Sequence, residues 1–172
     1  SIARTVSAVS FKDSKGNLWF GYQSGDIICY DGKEPGIYET GEDIISSITG
    51  FAEMDENHMI FSTQSNGIRL LDVSTGEISV LNGIEQNLYT SLFLSGSSLL
   101  LGKQEGLALY TLDKQGETAA LQFTVSELEY TKVQDIQIAR DQQAYWIATE
   151  DQGLYQFSFN GDQYIFCLLY TS

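Results

Sequence analysis

The sequence has very little of what metal sites and histidine-based catalysis require. Its 172 residues include one histidine, two cysteines and one proline, and nine lysines and arginines stand against 23 aspartates and glutamates. Any metal site or nucleophile that depends on histidine could use only His58, which we interpret as a solvated turn residue. Phosphate backbones are bound by clustered basic side chains, which are absent here, so we expect no nucleic-acid partner. We also predict no cofactor and no metal.

Long hydrophobic runs are missing as well. No window approaches the roughly 18 uninterrupted apolar residues of a membrane-spanning helix, so we predict no direct membrane insertion by this segment. The first ten residues lack an initiator Met and the features of a signal peptide, and we expect either that the start has been removed or that the chain is a fragment.

Helical periodicity is nearly absent, and short runs rich in β-branched and aromatic residues dominate instead. Four segments repeat the order apolar run, small residue, polar loop, glycine and second apolar run, and each run is typical of a strand. The glycines that follow the polar loops are spaced 42, 39 and 47 residues apart: Gly25, Gly67, Gly106 and Gly153. Periods of this size indicate a repeat architecture.

Four strands and about 40 residues in each repeat describe the blades of a β-propeller. We therefore predict an all-β fold, a propeller segment of about four four-stranded antiparallel blades that is incomplete. The repeats are placed at 1–40, 41–83, 84–126 and 127–166. The middle strands read as continuous apolar runs, as expected for strands covered on both faces. A small residue follows each run, and we expect another backbone to come close there: Gly21, Ser62, Gly102 and Ala148.

The repeats resemble the two-component-regulator propeller repeat, whose pattern is roughly D-x-x-G-x-L-W-hydrophobic-G-T-x-x-x-G-L-x-x-Y-D. The first repeat matches at Asp13, Gly16, Leu18, Trp19, Gly21, Gly25, Tyr30 and Asp31, and the fourth at Trp146, Ile147, Thr149, Gly153, Leu154 and Tyr155. The second repeat departs from the pattern at Phe61, Ser62 and Thr63, and the third has no Trp. The likeness covers nearly the whole chain, but each motif is short and tolerant.

The resemblance implies the extracytoplasmic sensor propeller of a hybrid histidine kinase, with a periplasmic or extracellular location and a glycan or other small polar ligand. The kinase machinery would lie outside this segment, which we expect to be non-catalytic. Because that family closes its propellers with more blades, the neighbouring blades of the full-length protein are expected partners. The tail 167–172 fits no repeat position and resembles translated adaptor sequence, so we predict that it is not native.

Polar residues recur two positions after each small residue, on the loop between the second and third strands. They are Gln23, Gln64, Gln104 and Glu150. In a propeller this loop shares one end with the connections between blades, so these side chains could converge on the mouth of a funnel and bind hydroxyl or peptide groups. Tyr22 and Lys103, which precede two of them, complete the predicted ligand-binding site. The alternative is that glutamine simply suits an exposed turn.

Two other functions remain open from the sequence. One is a structural or protein-interaction propeller of a secreted or secretion-associated protein. The other is a glycosidase-type propeller, because SFKDSKGNLW at 10–19 is similar to the Asp-box of sialidases, although both gaps around the Asp are one residue too long. Those enzymes need three converging arginines, and only Arg4, Arg69 and Arg140 exist. Asp13–Gly16 is better explained as an Asx-type turn than as a calcium loop.

Overall fold

The computed structural model describes residues 6–170, in which sixteen strands form four antiparallel sheets. Blade 1 consists of β1 (Ser7–Lys12), β2 (Leu18–Tyr22), β3 (Ile27–Tyr30) and β4 (Pro35–Tyr38). Blade 2 consists of β5 (Ile48–Glu53), β6 (His58–Thr63), β7 (Ile68–Asp72) and β8 (Ile78–Val80). Blade 3 consists of β9 (Tyr89–Ser95), β10 (Ser98–Lys103), β11 (Gly106–Leu112) and β12 (Ala119–Thr124). Blade 4 consists of β13 (Val133–Ile138), β14 (Tyr145–Thr149), β15 (Leu154–Asn160) and β16 (Gln163–Tyr170).

Each blade is a meander in which consecutive strands pair, and the blades are joined through their first strands. β1 contacts β5, β5 contacts β9, and β9 contacts β13. Within residues 6–170 no comparable packing connects β13 with β1, so the ring is not closed. The predicted fold class is therefore confirmed: an all-β, incomplete propeller of four blades.

The hydrophobic core is divided into three layers, one between each pair of neighbouring blades. The run Leu99–Leu101 in β10 shows how one strand serves two layers. Leu99 and Leu101 face blade 2, whereas Leu100 faces blade 4, and all three are at most 1% exposed. Successive side chains of a strand point to opposite faces, so a strand between two blades must be apolar at every position.

The outer blades have a neighbour on one face only. In β14, Ile147 packs into the layer with blade 3, while Trp146 points to the other face and is 36% exposed. The equivalent residue of blade 3, Leu100, is buried. Trp146 is exposed because no neighbouring blade covers this face of blade 4.

The small residues behind the apolar runs do lie at close approaches, but the nearest atoms belong mainly to side chains. A Cβ on Gly21 would lie 2.5 Å from Cβ of Ile48, in the first strand of the next blade. A Cβ on Gly102 would lie 2.1 Å from the Ser91 hydroxyl and 2.8 Å from Val133. The expectation of a neighbouring backbone was therefore wrong at these two positions, since side chains of the first strands fill the space.

Several local expectations also differ from the structure. His58, interpreted from the sequence as a solvated turn residue, is the first residue of β6. The single proline, Pro35, begins β4 at the outer edge of blade 1, where a missing N–H removes no hydrogen bond between strands. β5 begins at Ile48, because 44–47 belong to the connection from blade 1. β16 continues through Cys167–Tyr170 and pairs with β15, so these residues occupy the fourth-strand position of the repeat. Residues 1–5, including Arg4, and 171–172 lie outside the described range.

No helix of residues 6–170 is both long and apolar enough to cross a membrane. The short 3₁₀ turn Ser126–Leu128 lies in the connection before blade 4.

Candidate functional site at the loop end of the central cavity

The first strands of the four blades line one open cavity of about 440 Å³. Each of these strands is the inner edge of its sheet, so β1, β5, β9 and β13 all face the centre. Edge strands carry backbone donors and acceptors that no neighbouring strand pairs. The cavity is therefore lined by polar backbone groups in addition to side chains, and its volume lies in the range of about 300–1,000 Å³ common for small-molecule sites.

We call the two ends of the arc the loop end and the turn end. The loop end carries the loops between second and third strands (23–26, 64–67, 104–105 and 150–153) and the connections between blades (39–47, 81–88 and 125–132). The turn end carries the remaining hairpin turns, which join first to second and third to fourth strands.

Every first strand contains a β-bulge close to the loop end. In blade 1, Ser7 pairs with Tyr22 and Val9 with Gly21, which leaves Ala8 unpaired between them. The same irregularity occurs at the equivalent position of the other three blades, and the four bulged residues are Ala8, Thr49, Thr90 and Gln134. All four line the central cavity. A bulge re-aims the side chain that it leaves unpaired, so the cavity receives one such residue from each blade.

Backbone hydrogen bonds attach each second-to-third-strand loop to the residue that precedes the first strand. The backbone N–H of Gln23 donates to the carbonyl of Val6, the backbone N–H of Gln64 to that of Ser47, and the backbone N–H of Gln104 to that of Leu88. Glu150 donates to Lys132 in the same way. This recurring position, Gln in three blades and Glu in the fourth, thus holds the loop through its backbone. Its side chain is not needed for that bond and is exposed at the loop end.

The predicted site residues are not equally available. The side chains of Gln23, Gln64 and Gln104 are exposed, and they lie on the loops rather than in the lining of the cavity. Tyr22 is half-buried at the end of β2. Lys103 is buried, and its ammonium lies 3.2 Å from a carboxylate oxygen of Glu85.

Glu150 is the predicted residue that is connected with the cavity. Its Oε1 accepts hydrogen bonds from Nζ of Lys132 at 3.1 Å and from Nε2 of the bulged Gln134 at 3.4 Å. Glu150 therefore holds a cavity-lining amide in place, and the charge of Lys132 is balanced by it.

The other polar groups near the bulges are mostly engaged within the protein. The hydroxyl of Thr49 lies 2.8 Å from that of Ser62, and the hydroxyl of Thr90 donates to the carbonyl of Val133. Among the described residues, Ser91 has a buried hydroxyl without a hydrogen-bond partner, and Ser91 lines the cavity. Buried polar groups are normally paired, so this hydroxyl is an exception in need of a reason.

At the turn end, aspartates use their carboxylates to hold the turns. Asp13 accepts bonds from the backbone of Lys15 and Asn17, from the Asn17 amide and from the Trp19 indole. Burial alone would raise the pKa of Asp13, but these hydrogen bonds outweigh it and leave the pKa below its usual value. The bond to Lys15, two residues on, identifies the predicted Asx-type turn.

The lone histidine belongs to the same end. Nδ1 of His58 lies 2.8 Å from Asp55, and Nε2 lies 3.9 Å from Asp72. Asp72 in turn accepts bonds from Ser74 and Thr75, and these bonds lower its pKa. Among the described residues no group of three metal-ligating side chains is close enough to hold an ion.

The bulges are the part of the site that sequence reasoning missed. Ala8, Thr49, Thr90 and Gln134 are not all of one residue type, and a bulge is a property of pairing between two strands. The one available signal was indirect: each bulge lies opposite the small residue of the second strand, which was recognised as a place of close approach.

No family model matches the chain, and no curated protein matches it. Solved structures do. The chain is similar to a chain of the mitotic checkpoint complex, with a TM-score of 0.74 and 15% identity over 89% of this chain and 49% of that one. It is also similar to the β-propeller domain of Cps50 (Swd1) from Myceliophteria thermophila, with a TM-score of 0.71 and 13% identity over 90% and 57%.

A third similar structure is the extracellular domain of BT4673 from B. thetaiotaomicron, described both as a one component system and as a hybrid two component system. The TM-score is 0.57, with 17% identity over 95% of this chain and 28% of that one. The chain thus spans about a half or less of the length of the first and third of these. At such identities the likeness defines the class of fold, a β-propeller, and this class includes the extracellular domain of a two-component sensor.

Proposed function

We propose that this chain is the ligand-binding propeller of an extracytoplasmic two-component sensor and that it binds a small polar ligand, such as a glycan, at the loop end. The observation that carries the proposal is the central cavity, which is lined by four edge strands and by the bulged residue of each of them. The similarity to the BT4673 extracellular domain and the repeat pattern support the sensor assignment.

A binding role without catalysis fits the positions of the reactive side chains. His58 is held by carboxylates at the turn end. Arg140 follows β13 at the turn end. The guanidinium of Arg69 lies at the loop end, 3.7 Å from where a Cβ on Gly67 would be. These two arginines are at opposite ends of the blades, which argues against the converging arginines of a sialidase-like site.

The test is a thermal-shift screen of the chain against a panel of oligosaccharides. A ligand that binds the folded state raises the melting temperature, and the effect follows its affinity. The double variant Gln64→Ala/Gln104→Ala should reduce the shift for a hit while leaving the melting temperature of the free protein within about 2 °C, since exposed positions rarely affect stability. Gln115→Ala, an exposed glutamine at the turn end, is the control. Equal shifts in all three proteins would contradict the loop-end site.

The alternative is a protein-interaction propeller, and one observation favours it. Ile45 and Tyr130, on two of the blade connections, are 77% and 82% exposed at the same loop end. Large exposed apolar side chains are common at protein contacts. If Ile45→Ser/Tyr130→Ser abolished capture of a partner protein while oligosaccharides gave no thermal shift, this alternative would replace the sensor.

A further inference from the structure

The two ends of the arc carry uncovered blade faces. We call the face of a blade toward the following blade its forward face, and the face toward the preceding blade its backward face. Blades 2 and 3 are covered on both faces. Within residues 6–170 the backward face of blade 1 and the forward face of blade 4 have no neighbouring blade. Because opposite residues of paired strands lie on the same face, the four blades can be compared position by position.

The forward face of blade 4 has the residues of a covered face. Trp146 lies two residues before the small residue of its strand and is 36% exposed. The corresponding residues of the first three blades are at most 1% exposed and pack against the following blade: Trp19, Ile60 and Leu100. Leu154, opposite Ala148, is half-buried. Its counterparts in the other blades are at most 2% exposed: Ile27, Ile68 and Leu107.

The backward face of blade 1 shows the same contrast. Leu18 and Phe20 of β2 and Tyr30 of β3 point to this face, and Leu18 and Tyr30 are 39% and 38% exposed. At these three positions the other blades have apolar or aromatic side chains that are at most 7% exposed and pack against the preceding blade: Met59, Phe61, Leu71, Leu99, Leu101, Tyr110, Tyr145, Ile147 and Phe157. A face that remained in water would alternate with polar residues instead.

The charges on the two uncovered faces are few and opposite. Among the strand residues that pairing places on these faces, Lys12 is the charged residue of blade 1 and Asp135 that of blade 4. Neither face therefore repels the other, and both are apolar at their centres. The two faces have the residues of the two sides of one contact between blades.

One copy of the chain cannot join its own two faces, because they lie at opposite ends of an open arc. The arc is about half of a larger fold: the chain spans 49% of the mitotic checkpoint chain and 57% of the Cps50 (Swd1) propeller domain. It is also similar to the computationally designed Ika8 protein, with a TM-score of 0.68 and 13% identity over 92% of this chain and 47% of that one. A contact between two different faces closes into a ring when the rotation fits, and two half rings meet this condition.

We propose that two copies of this chain close a ring of eight blades, with the forward face of blade 4 in each copy packed on the backward face of blade 1 in the other. This contact continues the three contacts between blades within one copy. The central cavity, which is open in one copy, then has first strands on all sides, so the second copy completes the proposed binding site. The association itself depends on the two faces and needs no ligand.

The experiment is sedimentation equilibrium of the chain from about 1 to about 100 μM, a range in which specific protein contacts of standard size are populated. We expect a species of twice the 19.1 kDa mass of one chain and nothing larger. The fluorescence of Trp146 should shift to the blue as the dimer forms, and Trp146→Phe should abolish this shift because Trp19 is already buried. A monomer throughout would mean that these faces await blades that this chain does not carry, and it would overturn the proposal. Species that grow beyond the dimer would overturn the closed ring.

Two variants test which faces meet. Phe20→Arg and Trp146→Arg each place a charge at the centre of one face, and each altered contact occurs twice in the dimer. Since one lost hot spot weakens binding about thirtyfold or more, each variant should weaken dimerisation about a thousandfold. An equimolar mixture of the two should recover dimers, because the blade 4 face of Phe20→Arg and the blade 1 face of Trp146→Arg are both intact. Leu121→Arg, at an exposed apolar position of β12, is the control and should remain dimeric.

The pattern of results separates the ring from other dimers. If like faces met, one of the two variants would stay dimeric and mixing would restore nothing, which would contradict the proposal. Both substitutions are at positions that are uncovered in a single chain, so the variants should keep cooperative thermal unfolding. If either lost it, Leu18→Arg and Ile165→Arg, more exposed positions of the same two faces, provide the same test.

Discussion

The loop end and the turn end of this propeller segment use different polar residues to hold their loops. At the turn end the side chains hold the backbone, and Asp13 alone accepts four hydrogen bonds from its own hairpin and from Trp19. At the loop end backbone bonds such as that from Gln23 to Val6 tie the loops to the first strands, and threonine hydroxyls such as that of Thr63 hold the loop backbone. The glutamine side chains of these loops remain exposed. Side chains that are not needed for folding are free to meet a ligand.

The two ends also differ in how closely they are packed against the next blade. Gly25 at the loop end and Gly16 at the turn end both have positive φ, +93° and +88°. A Cβ on Gly25 would lie 2.5 Å from the carbonyl oxygen of Ile44, in the connection to blade 2, whereas a Cβ on Gly16 would meet nothing within 4 Å. At this pair of positions the loop end is the more tightly packed, and the turn end has its own contacts between blades, such as the hydrogen bonds from Ser14 to Glu53.

The largest expected effect comes from this pair of glycines. Gly16→Ala should cost about 1 kcal/mol, the strain of a left-handed backbone. Gly25→Ala adds a clash with backbone that cannot move without separating blades 1 and 2, so we expect a loss of about 3–5 kcal/mol. Urea unfolding of both variants measures the difference, and equal losses would show that the ends are packed alike.

The next effect tests how glycine and serine are paired in blades 2 and 3. In blade 2, Gly50 of the first strand pairs with Ser62 of the second, whereas in blade 3 Ser91 of the first strand pairs with Gly102 of the second. Gly102→Ala should destabilise the protein by about 2–3 kcal/mol, because its Cβ would meet the Ser91 hydroxyl and Val133. Gly102→Ser combined with Ser91→Gly copies the Gly50 and Ser62 pair, and we expect it to recover about half of the loss seen in Gly102→Ser alone. A double-mutant cycle from denaturant curves gives the coupling. If the effects of the two substitutions were simply additive, the side chains at 91 and 102 would not compete for the same space.

A smaller effect is expected from the carboxylates at the two ends. Asp13→Ala removes several hydrogen bonds to a charged acceptor and should cost about 2 kcal/mol, whereas Asp26→Ala at the loop end removes one bond from Ser24 and should cost about 0.5 kcal/mol or less. Thermal or urea unfolding at neutral pH provides both values. Similar costs at the two positions would weaken the contrast between the ends.

The pH dependence of the Asp13 variant sharpens the same contrast. Because the folded-state pKa of Asp13 is lowered, its contribution to stability is present above the unfolded value of about 3.9 and is lost as the pH falls through the folded pKa. The difference in unfolding free energy between wild type and Asp13→Ala should therefore shrink below about pH 4. A constant difference down to pH 2 would mean that the carboxylate charge has no part in it.

Much of the fold could be predicted from the sequence because the physics of a blade is periodic. The run Leu99–Leu101 is apolar throughout because the strand lies between two blades, and that pattern is visible without coordinates. The glutamine positions were also visible, since they recur in the repeat.

The cavity layer was not visible, for a physical reason. Thr90 is left unpaired when β9 pairs with β10, and Gln134 is left unpaired when β13 pairs with β14. Only this pairing puts the two residues at equivalent places in the cavity lining. The burial of Lys103 and its pairing with Glu85 likewise depend on a connection that returns from blade 2, 18 residues earlier in the chain. Pairing across distant segments carries no signature in a single sequence.

The most direct test of the loop-end account is to follow the side-chain amide signals of glutamines in ¹⁵N-correlated NMR spectra while a neutral tetrasaccharide is added. Gln64, Gln104 and Gln134 report the loop end, and Gln115 and Gln143 report the turn end. We expect the first three signals to shift with one common saturation curve and the other two to stay in place. Shifts confined to Gln115 and Gln143 would put the ligand at the wrong end and contradict the account.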